Sequence, residues 1–162
     1  MTTTTLAPAT RDARSLLTPA AFQGVTATVS IANPDVGLVM AERIVEEALK
    51  FVAAAARGWD GPLRPSRVVD EGWHALILHT VVYERLCANL GQFVHHVPEP
   101  PATKVHNEDT VDRVLAAIRA AGFEPDTYLW TRDAQQAVLV SADCMHSECN
   151  DDNGGGACTA PQ

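Results

Sequence analysis

The chain has 162 residues, 46% of them hydrophobic and 20% charged, which suits one domain with a core of its own. A formal net charge of −8 and only 12 scattered Lys and Arg argue against a nucleic-acid partner, because phosphate neutralisation needs clustered cations. No unbroken apolar run approaches the roughly 20 residues that cross a bilayer, and the Thr-rich start lacks a basic segment followed by an apolar one, so no membrane partner and a cytoplasmic location are expected.

Residues 1–14 are Thr, Ala, Pro and Arg without apolar periodicity and read as a flexible arm, with a helical domain following over residues 15–143. Leu17, Phe22, Val25 and Val29 share one helical face, with Thr18 as cap and Pro19 in the first turn. Asn33 and Pro34 repeat the cap-plus-proline pattern. Val36, Val39, Met40, Ile44, Ala48, Phe51 and Val52 then step by threes and fours, predicting a second helix through Ala56. Gly58 suits a left-handed helix end, and Asp60-Gly61-Pro62 a turn.

Ser66 opens the third helix. Val69, Trp73, Leu76, Thr80, Tyr83, Cys87 and Leu90 step by 4, 3, 4, 3, 4, 3 and predict one uninterrupted helix that Gly91 stops. Residues 93–97 read as an extended segment entering the proline-rich stretch 98–101. Asn107, with Glu108 and Asp109 in the first turn, predicts a fourth helix through Val111, Val114, Leu115 and Ile118, closed by Gly122 with Phe123 behind it. Two short apolar runs, 128–131 and 137–140, suit a small hairpin. Residues 144–162 form a Gly- and Cys-rich tail with almost nothing to bury. The expected fold class is mainly α: a compact bundle of about four helices, with room for a short C-terminal β-hairpin, between disordered termini.

Three clusters carry chemistry. Asp70 and His74 stand one turn apart on the edge of the third helix's apolar stripe, as a carboxylate–imidazole pair that suits either a metal site or a helix-locking surface pair. Glu46 and Glu47 on the second helix are candidate extra ligands or plain solvated charges. His79 points away from Asp70. The second cluster is His95-His96, adjacent residues that face opposite ways on an extended segment. A straight helix carries the chain about 24 Å from His74 to Leu90, whereas residues 91–95 span at most about 17 Å. A direct meeting of His74 with His95 or His96 is therefore expected to be strained, and contact with Cys87 to be easier. Trp73, His95 and His96 are the candidate binding residues.

The third cluster, Cys144, His146, Cys149 and Cys158, offers enough soft ligands for tetrahedral zinc, although the Gly-rich gap before Cys158 makes a costly chelate. The bland alternative is a tail of unpaired thiols. With no export signal, the four cysteines suit reduced thiols or a metal better than structural bridges. Phosphate-loop, nucleophile-elbow, His-Glu-x-x-His and dinucleotide motifs are absent.

The run Val69-Asp70-Glu71-Gly72-Trp73-His74-Ala75-Leu76-Ile77-Leu78, followed by Thr80, Tyr83, Cys87, Gly91, Phe93 and His95-His96-Val97-Pro98, resembles small bacterial proteins of the glycine-rich-domain-like family. It also looks like the domain of eukaryotic glycine-rich domain-containing proteins, in which a second His stands two positions after the first; here that position is Ala75. The resemblance implies a helical domain without an assigned activity. Two readings follow: a helical interaction or accessory module with a protein partner, or a zinc or iron protein using Asp70 and His74 or the Cys-rich tail. The second reading extends to metal-assisted hydrolysis or redox chemistry.

Overall fold

Two hydroxyls open helices where the sequence places them. Thr18 Oγ1 accepts from the Ala21 amide and Ser66 Oγ from the Val69 amide, both at 3.2 Å, each satisfying an amide that the helix cannot. The computed structural model describes residues 10–61, 63–97 and 108–140. A 3-10 turn at Ala13–Leu16 leads into α1 (Pro19–Ala32), α2 (Leu38–Ala56), α3 (Arg67–Leu78), α4 (Thr80–Leu90) and α5 (Glu108–Ala120); a further 3-10 turn at Thr127–Trp130 precedes α6 (Arg132–Ala137). Among the described residues the protein is mainly helical and has no strand.

The central element is α2, packed against α1, α3 and α5. Ile44, Val45, Leu49, Phe51 and Val52 are buried on it, each contributing about 1.5–3 kcal/mol of apolar transfer. The approach of α3 to α2 is set by Gly72. A Cβ there would lie 2.7 Å from the Ile44 carbonyl oxygen and 2.9 Å from Ala48 Cβ. Only a hydrogen fits, so the turn of α3 that carries Asp70 and His74 lies flush on α2.

Buried polar clips fix the remaining elements. Glu47 is fully buried, yet one oxygen accepts from Trp130 Nε1 (2.8 Å) and the other from Lys50 Nζ and the Asp126 amide (both 2.9 Å). Those bonds draw the C-terminal chain onto α2, and Ser66 Oγ adds a bond to the Leu129 carbonyl at 2.7 Å. Residues 128–131 follow this path by way of the 3-10 turn, with Thr131 capping α6 through the Ala134 amide. The expected β-hairpin does not form: run 128–131 is mostly helical, and Ala137 ends α6.

Two other expectations are revised. Asn33 does not open α2; its side chain donates to the Val29 carbonyl (2.8 Å) and to Glu71 Oε1 (2.7 Å), closing α1 and tying it to α3, and α2 begins after Gly37. The long third helix is broken at His79, whose backbone (φ −86°, ψ 65°) leaves the helical region between α3 and α4. Its imidazole Nε2 bonds Thr28 Oγ1 on α1 at 2.8 Å, and the β-branched run Thr80-Val81-Val82 follows, a poor continuation for a helix. The stripe is buried on both sides of the break, but Thr80 at the break is exposed.

The glycines that follow α2, α4 and α5, Gly58, Gly91 and Gly122, take the left-handed conformation, and Phe123 folds back with its amide on the Ile118 carbonyl. Arg11 and Ala13, within the stretch read as an arm, contact the body: the Arg11 amide bonds the Gly122 carbonyl at 2.8 Å, and Ala13 is buried. No helix among the described residues is long and apolar enough to cross a membrane.

Gly72→Ala is expected to lower the unfolding free energy by about 1–3 kcal/mol, although alanine is the better helix former. Equilibrium denaturation measures it; an unchanged or raised midpoint would contradict the close α2–α3 approach.

Candidate metal centre

Asp70 sits in the first turn of α3 and His74 one turn later, so both side chains leave the same side of the helix. Asp70 Oδ2 and His74 Nδ1 are 3.9 Å apart. The third member comes from outside the helix. His96 Nε2 lies 2.9 Å from Asp70 Oδ1, and its ring centroid is 4.5 Å from those of both His74 and Trp73. Among the described residues, Asp70, His74 and His96 form a group whose ligand atoms all lie within 4.8 Å of one another. Asp70 is buried, and the two histidines are partly so.

This meeting overturns the expectation that His74 and His96 are kept apart. That expectation assumed a straight helix from His74 to Leu90. The break at His79 removes the assumption: α4 leaves the line of α3 and packs against both α3 and α2, which shortens the distance the chain after Leu90 must span. The preferred Cys87 contact gives way with it. His96 meets Asp70 instead, His95 packs on Phe93 with centroids 4.8 Å apart, and Cys87 is buried beside Tyr83.

Glu46 and Glu47 are not ligands of this group. Glu46 pairs with Arg14, and Glu47 is consumed by its bonds to Trp130, Lys50 and the Asp126 amide. His79 is likewise engaged elsewhere, on Thr28. Cys144, His146, Cys149 and Cys158 lie outside the described residues.

The segment carrying His96 has no helical or strand bonding of its own. Tyr83 Oη on α4 donates to the Val94 carbonyl at 2.5 Å and accepts from Trp73 Nε1 at 2.9 Å. Trp73, expected as a core or binding residue, is buried, with its ring against those of Phe51 and His96. It also lines a cleft of 290 Å³ together with Phe51, Trp59, Leu63, Val94 and His95. The two histidines thus serve different surroundings: His96 faces the carboxylate, and His95 the cleft.

Chemically, one carboxylate and two imidazoles are a ligand set for a borderline divalent ion. With bonds of about 2.1 Å, two donors of one ion stand about 3.0 Å apart at a right angle and about 3.4 Å apart at a tetrahedral angle. The Asp70–His96 separation already matches, and a movement of the His74 ring by about 1–1.5 Å closes the rest. Three protein ligands leave a coordination position for water.

Burial pushes the Tyr83 pKa above its ordinary value of 10.0, the Trp73 bond opposing this and Cys87 adding to it. The unfolded chain therefore ionises first: the stabilisation is complete below about pH 10 and is lost as pH rises beyond it. Between about pH 10 and 11 the unfolding free energy of the wild type should fall more steeply than that of Tyr83→Phe. Parallel profiles would show that the hydroxyl is not held neutral.

No curated protein and no solved structure matches the chain. A family model, UCP032817-like, matches residues 17–119, which include Asp70, His74, Trp73, Tyr83 and His96. With more than half of its length matched, the chain belongs to the UCP032817-like family.

Proposed function

We propose that the protein is a metal-binding helical module in which Asp70, His74 and His96 hold one divalent ion of the zinc or iron type. The observation that carries this reading is the convergence of three ligand atoms within 4.8 Å, one of them delivered by a segment remote in sequence from the other two. A carboxylate and an imidazole that only locked a helix surface would need no third partner. The open coordination position is compatible with metal-assisted hydrolysis or redox chemistry, and three protein ligands with one water is the arrangement of catalytic rather than structural zinc.

A second reading is favoured by one observation. The 2.9 Å Asp70–His96 contact already gives each group a partner, as a lock between α3 and the 93–97 segment would. In that reading the protein is an accessory module that binds a protein partner, and Asp70 serves only to hold the segment down. The resemblance to glycine-rich domain-containing proteins is compatible with either reading, since both use Asp70 and His96 from the run that carries it.

Titration calorimetry with Zn²⁺ separates them, using the full chain with Cys144, Cys149 and Cys158 changed to Ser so that the tail contributes no thiolate. The metal reading predicts one ion per chain, loss of binding in His74→Ala and His96→Ala, and weaker binding on acidification, because imidazoles must be deprotonated to ligate. Zinc at about 100 times its Kd should raise stability by about 2.7 kcal/mol. No uptake, or uptake indifferent to both substitutions, would leave the lock as the function of the cluster. For the lock, His96→Ala should lower the melting temperature of the metal-free protein; an unchanged melting temperature with lost zinc would refute it.

A further inference from the structure

Asp70 and His74 are one turn apart on a helix held against α2 at Gly72, so the backbone that carries them is already in place. His96 is different. It lies on a segment without regular secondary structure, six residues past the end of α4. In the metal-free protein the Asp70 bond helps to hold it, but an ion takes up the Asp70 carboxylate and replaces that bond. Something else must keep the imidazole within reach.

We propose that Tyr83 is the positioning residue of the metal centre: its hydroxyl tethers the Val94 carbonyl and thereby presents His96 to the ion held by Asp70 and His74. This rests on the metal-binding reading given above.

The tether is built from both sides. Trp73 Nε1 donates to Tyr83 Oη at 2.9 Å, which commits the hydroxyl's own hydrogen to the Val94 carbonyl at 2.5 Å. The ring of Phe93 stands edge-on to the Tyr83 ring, with centroids 5.5 Å apart and planes at 87°, clamping the residue before Val94 to the same side chain. Trp73 then contacts the imidazole itself at 4.5 Å between centroids. Tyr83 is buried, so water does not compete for its hydroxyl. Val94 is two residues from His96, a span of at most about 7 Å. Freed there, the segment is next held by Phe93 against the Tyr83 ring, three residues from His96, which leaves the imidazole a reach of up to about 10 Å. The effective concentration of the imidazole at the ion falls accordingly.

The test is a Co²⁺ titration followed by visible absorption, which reports both affinity and coordination geometry, on the full chain with the three tail cysteines changed to Ser. Tyr83→Phe keeps the ring and removes the tether. It should weaken Co²⁺ binding roughly tenfold, as expected for the loss of one positioning hydrogen bond, and move the bound spectrum toward that of His96→Ala. A merely structural tyrosine would lower the melting temperature without altering affinity or spectrum well below it. Phe93→Leu, at a half-exposed ring outside the core, should shift affinity in the same direction by a smaller factor and covers the case in which Tyr83→Phe does not fold. Unchanged affinity and spectrum in the folded variants, with His96→Ala impaired, would overturn this proposal alone. Absence of Co²⁺ uptake by the parent protein would overturn it together with the metal-binding reading.

Discussion

A straight helix carries each residue steadily away from the helix's own first turn, so the meeting of Asp70 with His96 depends on the point where the helix ends. Residues 66–90 carry a continuous seven-residue apolar repeat, which favours a single helix, yet the chain leaves helical geometry at His79. The imidazole there bonds Thr28 on α1, and the following Thr80-Val81-Val82 run weakens helix continuation. The outcome is two short helices, α3 and α4, that pack on each other and on α2. Without the break, His96 would emerge far from Asp70; with it, the two side chains meet at 2.9 Å.

The rest of the architecture holds α3 still. Gly72 admits the Ile44 carbonyl, Asn33 bonds Glu71 from α1, and Ser66 both caps α3 and bonds the Leu129 carbonyl. Three neighbours thus fix the helix bearing Asp70 and His74. Glu47 plays the same part for the C-terminal chain, as a buried carboxylate that is stable only because each oxygen is engaged. Asn33, Glu47 and Ser66 act as clips between elements, and the Asp70 cluster differs from them in combining two histidines with partial exposure.

Much of this was legible in the sequence where a local signal decides the structure. Thr18 with Pro19, Ser66, Gly58, Gly91 and Gly122 mark helix boundaries by their own chemistry, and the buried faces of α5 and of α2 from Ile44 to Val52 follow the apolar spacing, whereas Val36 precedes α2 and Val39 on its first turn is exposed. What was not legible required partners distant in sequence. Asn33 looks like a cap but is used by Glu71, 38 residues away. Residues 128–131 look like a strand, but Glu47 fixes their path from 83 residues away at Trp130. The heptad repeat across His79 conceals a break that the β-branched run after it signals only weakly. The apparent continuity of that repeat is what separates His74 from His96 on the linear sequence, although each is conspicuous on its own.

The central claim is that the break at His79 assembles Asp70, His74 and His96 around one ion. Anomalous diffraction at the zinc edge from crystals of the full chain grown with Zn²⁺ tests it most directly. A single peak about 2.1 Å from Asp70, His74 and His96 together is the predicted result. A zinc peak that lies elsewhere, with the Asp70–His96 hydrogen bond intact, would contradict it.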